Sequence, residues 1–319
     1  MSRPPSPSSR RSAHRVPHRP ATARQAACWA AGAAIALCTA CSDPTPVAAD
    51  LTLENVGFMT PESALHDPDA DVYLVSNIQG DPFEKDDNGF VSRVSPDGVV
   101  LELKWIDGAK EDVELDAPKG MAILGDELWI ADIDQLRRFD RKTGEPKPSV
   151  AIPGATFLND VCVAPDGAIH VSDSGFADGF APSSTDAIWR VEIVEGAAQV
   201  VTIARGEEFA HPNGLCAGAK DLFCVDWARG EFVMVTPSGK RETPLALPKK
   251  QLDGLVRTPA GRWFASSWEG ECIYEISQRG SATALFTGLE QPADIGYDHR
   301  RGRLLIPLFG SDKLLFRKI

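Results

Sequence analysis

Several common chemistries have no foothold in this 319-residue chain. It contains no glycine-rich phosphate loop and no dinucleotide fingerprint. Ser174, in Asp173-Ser174-Gly175, lacks the preceding glycine of a nucleophile elbow, which argues against serine-hydrolase chemistry. Cys162, Cys216, Cys224 and Cys272 show no C-x-x-C spacing and read as small buried hydrophobes rather than metal ligands or nucleophiles. Should they oxidise, four cysteines allow three pairings, and the sequence does not choose among them. Histidine is scarce, and of His66, His170 and His211 only the last stands beside a motif of interest. No apolar period of 3.6 residues persists long enough to argue for a helical fold.

Positive charge is also in short supply once the first residues are set aside. Residues 1–25 hold six arginines and no acid. The uncharged stretch Ala26 to Ala40 follows, ending in Cys38-Thr39-Ala40-Cys41. A basic segment followed by a short apolar one is the pattern of an export signal, and small residues before a cysteine resemble a bacterial lipoprotein signal. Residues 1–41 are therefore expected to be an export signal with Cys41 lipidated. The alternative is plain cleavage after Ala40 or near Ala49. The expected location is a bacterial periplasm or outer membrane, with contact to the membrane only through the lipid. Without the leader, 27 basic residues face 45 acidic ones, a net charge near −18. Such a surface repels phosphate backbones, which excludes nucleic acid as a partner.

What the chain does have is a triplet that recurs six times. It reads Pro61-Glu62-Ser63, Pro118-Lys119-Gly120, Leu158-Asn159-Asp160, Pro212-Asn213-Gly214, Leu252-Asp253-Gly254 and Pro292-Ala293-Asp294, with starts 57, 40, 54, 40 and 40 residues apart. Each copy opens a short apolar run. A turn, a second apolar strand and an alternating third strand follow, and a fourth leads to the next triplet. Four strands in a unit of about 40 residues is a propeller blade. The fold expected is all-β, a six-bladed propeller over residues 51–319, with 42–50 as a short linker. The last unit supplies three strands, so Leu51–Val56 is expected to pair with Lys313–Phe316 and close the ring. The two long spacings reflect insertions at Gln79–Asn88 and Gly175–Thr185, which share a face with the triplets and should overhang the mouth.

Around a ring the middle residues of the triplets meet at the axis. Glu62, Asn159, Asn213 and Asp253 offer two carboxylates and two amide oxygens, a hard donor set suited to calcium, with magnesium or manganese as alternatives. The plain reading of any single triplet is that Asn and Asp begin strands well. Four aligned copies favour the metal. Asp160 and Asp294 follow the middle residue by one; they either point down the tunnel to a second, structural cation or cap backbone amides. Lys119 either binds an anionic group or faces solvent on its turn. Trp227 and Trp268 follow second strands in neighbouring units and either face the mouth or pack in the core.

Pro61-Glu62-Ser63-Ala64, Phe157-Leu158-Asn159-Asp160, His211-Pro212-Asn213-Gly214-Leu215 and Leu252-Asp253-Gly254-Leu255 resemble the gluconolactonase and senescence-marker-protein (regucalcin-like) family, with the paraoxonase and organophosphate-hydrolysing propellers as further relatives. The likeness extends over nearly all of residues 51–319. It implies an axial divalent metal on Glu62, Asn159, Asn213 and Asp253, hydrolysis of lactones or phosphotriesters, and Asp253 as base or nucleophile. Family members acting on sugar lactones carry an arginine where this chain has Phe157. That departure implies a more apolar substrate, met by Lys119, Phe157, Trp227, Trp268 and His211. Two functions stay open at this point. One is a monomeric cation-dependent hydrolase of a lactone or related ester, and the other is a non-catalytic propeller binding a small ligand or protein at the same mouth.

Overall fold

Six times the chain runs outward from an axis as four antiparallel strands, and the burial of each strand explains its place. Strands nearest the axis are covered on both faces and are almost wholly buried, as in Val72–Asn77, whereas outer strands such as Ala282–Thr287 are largely exposed. The computed structural model describes residues 50–319, so the expected export signal, Cys41 and nearly all of the 42–50 linker lie outside the described residues.

Blade one comprises Pro61–Asp67, Val72–Asn77, Phe90–Val94 and Val100–Asp107. Blade two comprises Pro118–Leu124, Glu127–Asp132, Gln135–Asp140 and Pro146–Ala151. Blade three comprises Leu158–Val163, Ile169–Asp173, Ala187–Val194 and Ala197–Arg205. Blade four comprises Pro212–Ala217, Leu222–Asp226, Glu231–Val235 and Arg241–Ala246, and blade five Leu252–Arg257, Trp263–Ser267, Cys272–Ile276 and Ala282–Thr287. The sixth blade takes Gly296–Asp298, Arg303–Leu308 and Lys313–Lys318 from the end of the chain and Leu51–Leu53 from its start. The molecule is an all-β, six-bladed propeller.

Closure occurs as expected, with Leu51 opposite Phe316 and Leu53 opposite Leu314. The strand is shorter than Leu51–Val56, however. It stops at Leu53 because Asn55 adopts a left-handed backbone (φ 56°), which no ladder accommodates. Side chains bolt the same seam between blades one and six. Tyr73 donates its hydroxyl to Asp298 at 2.5 Å and accepts from Arg303 Nε at 2.9 Å.

The core lies between blades rather than at the axis. Trp129 and Leu136 of blade two, for example, pack with Leu158, Val171 and Trp189 of blade three. The four described cysteines are free thiols, with Cys224 and Cys272 buried and Cys162 and Cys216 partly so.

The inner strands carry the detail that matters for function. In blades one to five the first hairpin skips residues at the triplet: pairing jumps from Pro61 to Ser63, Pro118 to Met121, Leu158 to Val161, Pro212 to Leu215 and Leu252 to Leu255. Each jump is a bulge that interrupts the ladder and re-aims a side chain. Serines on the second strand satisfy amides the bulges release: Ser76, Ser172 and Ser266 accept from the N–H of Ser63, Asp160 and Gly254 at 2.9, 2.9 and 2.8 Å.

Candidate functional site

Because the bulges recur at one register, the middle residues of five triplets point to one place. Glu62, Lys119, Asn159, Asn213 and Asp253 line a single axial chamber. Blade six contributes Ala293 at this register.

Four oxygens there stand out. Glu62 Oε2, Asn159 Oδ1, Asn213 Oδ1 and Asp253 Oδ1 are each buried without a hydrogen-bond partner. Buried polar atoms are nearly always paired, and four orphans at one spot, one from each blade, mark a place for a ligand that accepts oxygen lone pairs. Asn159 shows how the orientation is set. Its Nδ2 donates to Ser174 Oγ at 3.0 Å, and Ser174 Oγ donates to the Pro212 carbonyl at 2.7 Å, so the amide oxygen is left for the chamber. Among the described residues no three His, Cys, Asp or Glu side chains group as metal ligands. The set here mixes two carboxylates with two amides, a composition that hard cations take in oxygen cages.

Electrostatics agree with the orphan atoms. Burial pushes the Glu62 carboxyl well above its ordinary value, and the charges of Asp253 and Asp294 push it further. Asp253 is raised for the same reasons, burial first and then Asp294. Trp268 and Asn213 favour its charged form, although Trp268 Nε1 does not reach hydrogen-bond geometry. Two buried carboxylates held this way ionise at low cost only beside compensating positive charge.

Lys119 is in the chamber, not on a solvent-facing turn, at 1 % exposure. Its ammonium donates to the carbonyls of Ala117 at 3.0 Å and Pro82 at 3.4 Å and lies 4.4 Å over the ring of Phe157. Burial lowers its pKa, against the pull of Glu62.

Asp160 and Asp294 are buried below the chamber and border a separate cavity of about 350 Å³ with Ser63 and Leu215. Asp160 accepts from the amides of Val161 and Leu215, both at 2.6 Å, and Asp294 accepts from Ser63 Oγ at 2.5 Å. Amide capping is thus what Asp160 does. Both carboxyls are raised, mainly by burial, and Asp160 also by Asp294.

The roof is aromatic and comes from the two insertions. Phe83 of the first sits 4.8 Å from Phe157 and 5.1 Å from Phe180 of the second. Phe176, Phe180, Phe157, Trp227, Trp268 and Phe309 form most of the wall, with Trp227 and Trp268 edge to face at 5.0 Å. Lys85 ties the first insertion to Asp134 at 2.6 Å, and the hydroxyls of Thr156, Ser183 and Thr185 tie down the second. His211 is not brought to the wall. Its ring stacks on Phe176 at 4.2 Å, and Nδ1 donates to the Ser174 carbonyl at 2.6 Å, so it supports the roof from outside. Sequence reasoning missed Ile78, Pro82, Phe176, Phe180 and Phe309, which lie in loops without a period; a concentration of phenylalanine in the two insertions was the available signal.

No protein-family model and no curated protein sequence matches this chain. Solved structures do. A gluconolactonase from Xanthomonas campestris aligns with a TM-score of 0.61 at 18% identity, covering 81% of this chain and 86% of that one. Virginiamycin B lyase from Staphylococcus aureus gives 0.58 at 13%, covering 85% and 99%, and a luciferin-regenerating enzyme gives 0.59 at 12%, covering 85% and 98%. At such identities the likeness shows the fold alone: this chain shares a β-propeller fold with these proteins.

Proposed function

We propose that this protein is a divalent-cation-dependent hydrolase of a lactone or related ester, with calcium as the cation and Asp253 as the base or nucleophile. The observation that carries the reading is the set of four partnerless buried oxygens of Glu62, Asn159, Asn213 and Asp253 facing one chamber. These four residues would hold the cation, which when bound supplies Lewis-acid polarisation of a carbonyl oxygen. The residues do the rest. Asn159, fixed by Ser174, and Asn213 contribute neutral oxygens, which keeps the site charge at −2 and matched to a divalent ion. Asp253, beside Trp268 at the chamber wall, takes the proton of a water that attacks the carbonyl carbon and returns it to the ring oxygen as the C–O bond breaks, or attacks that carbon itself and is freed by water in a second step. The aromatic roof excludes bulk water and orients an apolar substrate body. The gluconolactonase neighbour supports this reading at the level of fold.

Metal analysis of the purified protein, followed by a lactone, aryl ester and phosphotriester panel with and without chelator, tests the proposal. Turnover that chelator abolishes and calcium restores is expected. Asp253→Asn should keep the fold and lower kcat by on the order of a hundredfold or more. Full activity in Asp253→Asn would remove the catalytic assignment.

One observation favours the second reading, a non-catalytic binding propeller. Phe157 stands where sugar-lactone members of the resembled family carry an arginine. That reading predicts cation uptake and ligand affinity without turnover of any member of the panel.

A further inference from the structure

Lys119 is the one basic side chain on the chamber wall, and it stands where three other blades place Asn or Asp. An ammonium has three N–H donors. Two are spent on backbone carbonyls, which cannot neutralise a charge, and among the described residues Lys119 forms no ion pair. Its remaining neighbour is the ring of Phe157 at 4.4 Å, which carries no charge either. Glu62 influences Lys119 at a distance but is not bonded to it.

Charge counting then points to the missing partner. The chamber wall carries two acidic groups, Glu62 and Asp253, and one basic group, Lys119. A divalent cation would balance both carboxylates, and Asp132 and Asp116, which also act on Lys119, are ion-paired with Arg137, so the ammonium would be left without a partner of its own. A buried charge persists where it is paired. A single negative charge balances it, and the surrounding Phe157, Phe176, Phe180, Trp227, Trp268 and Phe309 suit an apolar or aromatic body. A phosphate dianion overshoots the balance.

We propose that Lys119 makes this chamber selective for an amphiphilic monocarboxylate, its carboxylate on the Lys119 ammonium and its apolar body against the phenylalanine and tryptophan wall. The inference deepens the hydrolase reading, on whose cation it rests, by naming the class of compound that enters. It differs from a purely structural role, in which Lys119 brackets the first insertion through the long bond to Pro82.

Trp227 and Trp268 report occupancy of the chamber by fluorescence. Full-length protein, loaded with calcium or treated with chelator, is titrated with 3-phenylpropionate, with 3-phenylpropanol as its neutral counterpart, and with inorganic phosphate. Calcium-loaded wild type is expected to bind the carboxylate at least about tenfold more tightly than the alcohol, the increment of one charge-assisted hydrogen bond. Lys119→Met should bring that ratio down to about one, while Lys119→Arg, which keeps the charge, retains part of it. Lys119→Gln replaces the methionine variant if the latter does not fold. A preference that survives Lys119→Met, or phosphate binding as tightly as the carboxylate, overturns the proposal, as does equal affinity for acid and alcohol in wild type. The two readings fail separately. Absence of turnover with a Lys119-dependent preference removes the hydrolase and keeps the carboxylate receptor; calcium-dependent turnover without the preference does the reverse.

Discussion

At the scale of the residue, the chamber holds two carboxyls whose ionisation burial opposes. Glu62 and Asp253 are held in one buried space with their pKa values raised, burial being the larger cause in both. The direction sets the pH dependence of the cation-free protein. A carboxyl that holds its proton more tightly when folded than when unfolded favours the fold at low pH, and that advantage is lost as pH rises above the ordinary value of 4.5 for Glu62 toward its raised value. Glu62→Gln removes one of the two charges. In chelator-treated protein the variant should be more stable than wild type at pH 8 by about 1–3 kcal/mol, with the gap closing toward pH 4. With calcium added the order should reverse, because only wild type keeps the full donor set. Thermal melts across pH, with and without calcium, check this; a gap that does not change with pH would show that Glu62 is not the charge at issue. Most of these residues were legible in the sequence because the triplet is short and periodic, so aligning its copies places Glu62, Lys119, Asn159, Asn213 and Asp253 at one register. The sequence left two choices for Lys119, chamber or solvent, and tertiary burial decides between them. His211 stands just outside the strand with a left-handed backbone (φ 62°), a conformation the sequence did not announce, and its ring turns onto Phe176.

At the scale of the element, the third residue of the triplet has a logic that no single blade reveals. Read around the ring it is Ser63, Gly120, Asp160, Gly214, Gly254 and Asp294. The polar three reach neighbours: Ser63 bonds Asp294, and Asp160 bonds the Leu215 amide of the next blade. The glycines stand where inner strands approach too closely for a side chain. A Cβ on Gly214 would meet the carbonyl of Asp253 and come within 2.7 Å of the Leu255 amide, both rigid backbone of blade five. Gly214→Ala should therefore cost about 1–3 kcal/mol by overpacking and shift Asp253, one of the four oxygen donors. Urea unfolding together with calcium titration measures both effects, and an alanine variant with wild-type stability and affinity would refute the close approach. This pattern escapes a reading of the sequence because its cause is a contact between units about 40 residues apart. The ends of the second strands in blades one, three, four and five escape it as well. Their last residues, Asn77, Asp173, Asp226 and Ser267, look like turn formers, yet they end strands and mostly serve neighbouring backbone. Asn77 accepts from Met59 and Asp173 from Phe157, both upstream of a triplet.

At the scale of the whole molecule, the site exists only because the ring is closed. Glu62 stands in blade one and Asp253 in blade five, and blade six lies between them. If that blade loosens, the two carboxylates lose their fixed separation. The joint depends on three residues of strand, Leu51–Leu53, and on a cluster in which Leu53 packs with Phe58, Tyr73, Leu314 and Phe316. The incomplete last unit made this closure legible in outline, whereas its brevity was not, because Asn55 reads as continuing strand until its backbone angle is known. Leu53→Ala should cost about 2–5 kcal/mol through the lost apolar contact and the cavity left behind. Leu53→Asp buries a charge at the same point and should free the strand, leaving the edge of Lys313–Lys318 open to pair with another chain. Closure then predicts a difference between the two variants that local damage does not. Leu53→Ala should unfold in one cooperative step with calcium affinity near wild type, since the ring is weakened but intact. Leu53→Asp should lose calcium affinity at temperatures well below its main unfolding transition and gain concentration-dependent association. Calcium titration and light scattering over a temperature series separate these outcomes. If Leu53→Asp binds calcium normally and stays monomeric until it melts, the seam is not what holds blades one and five in place.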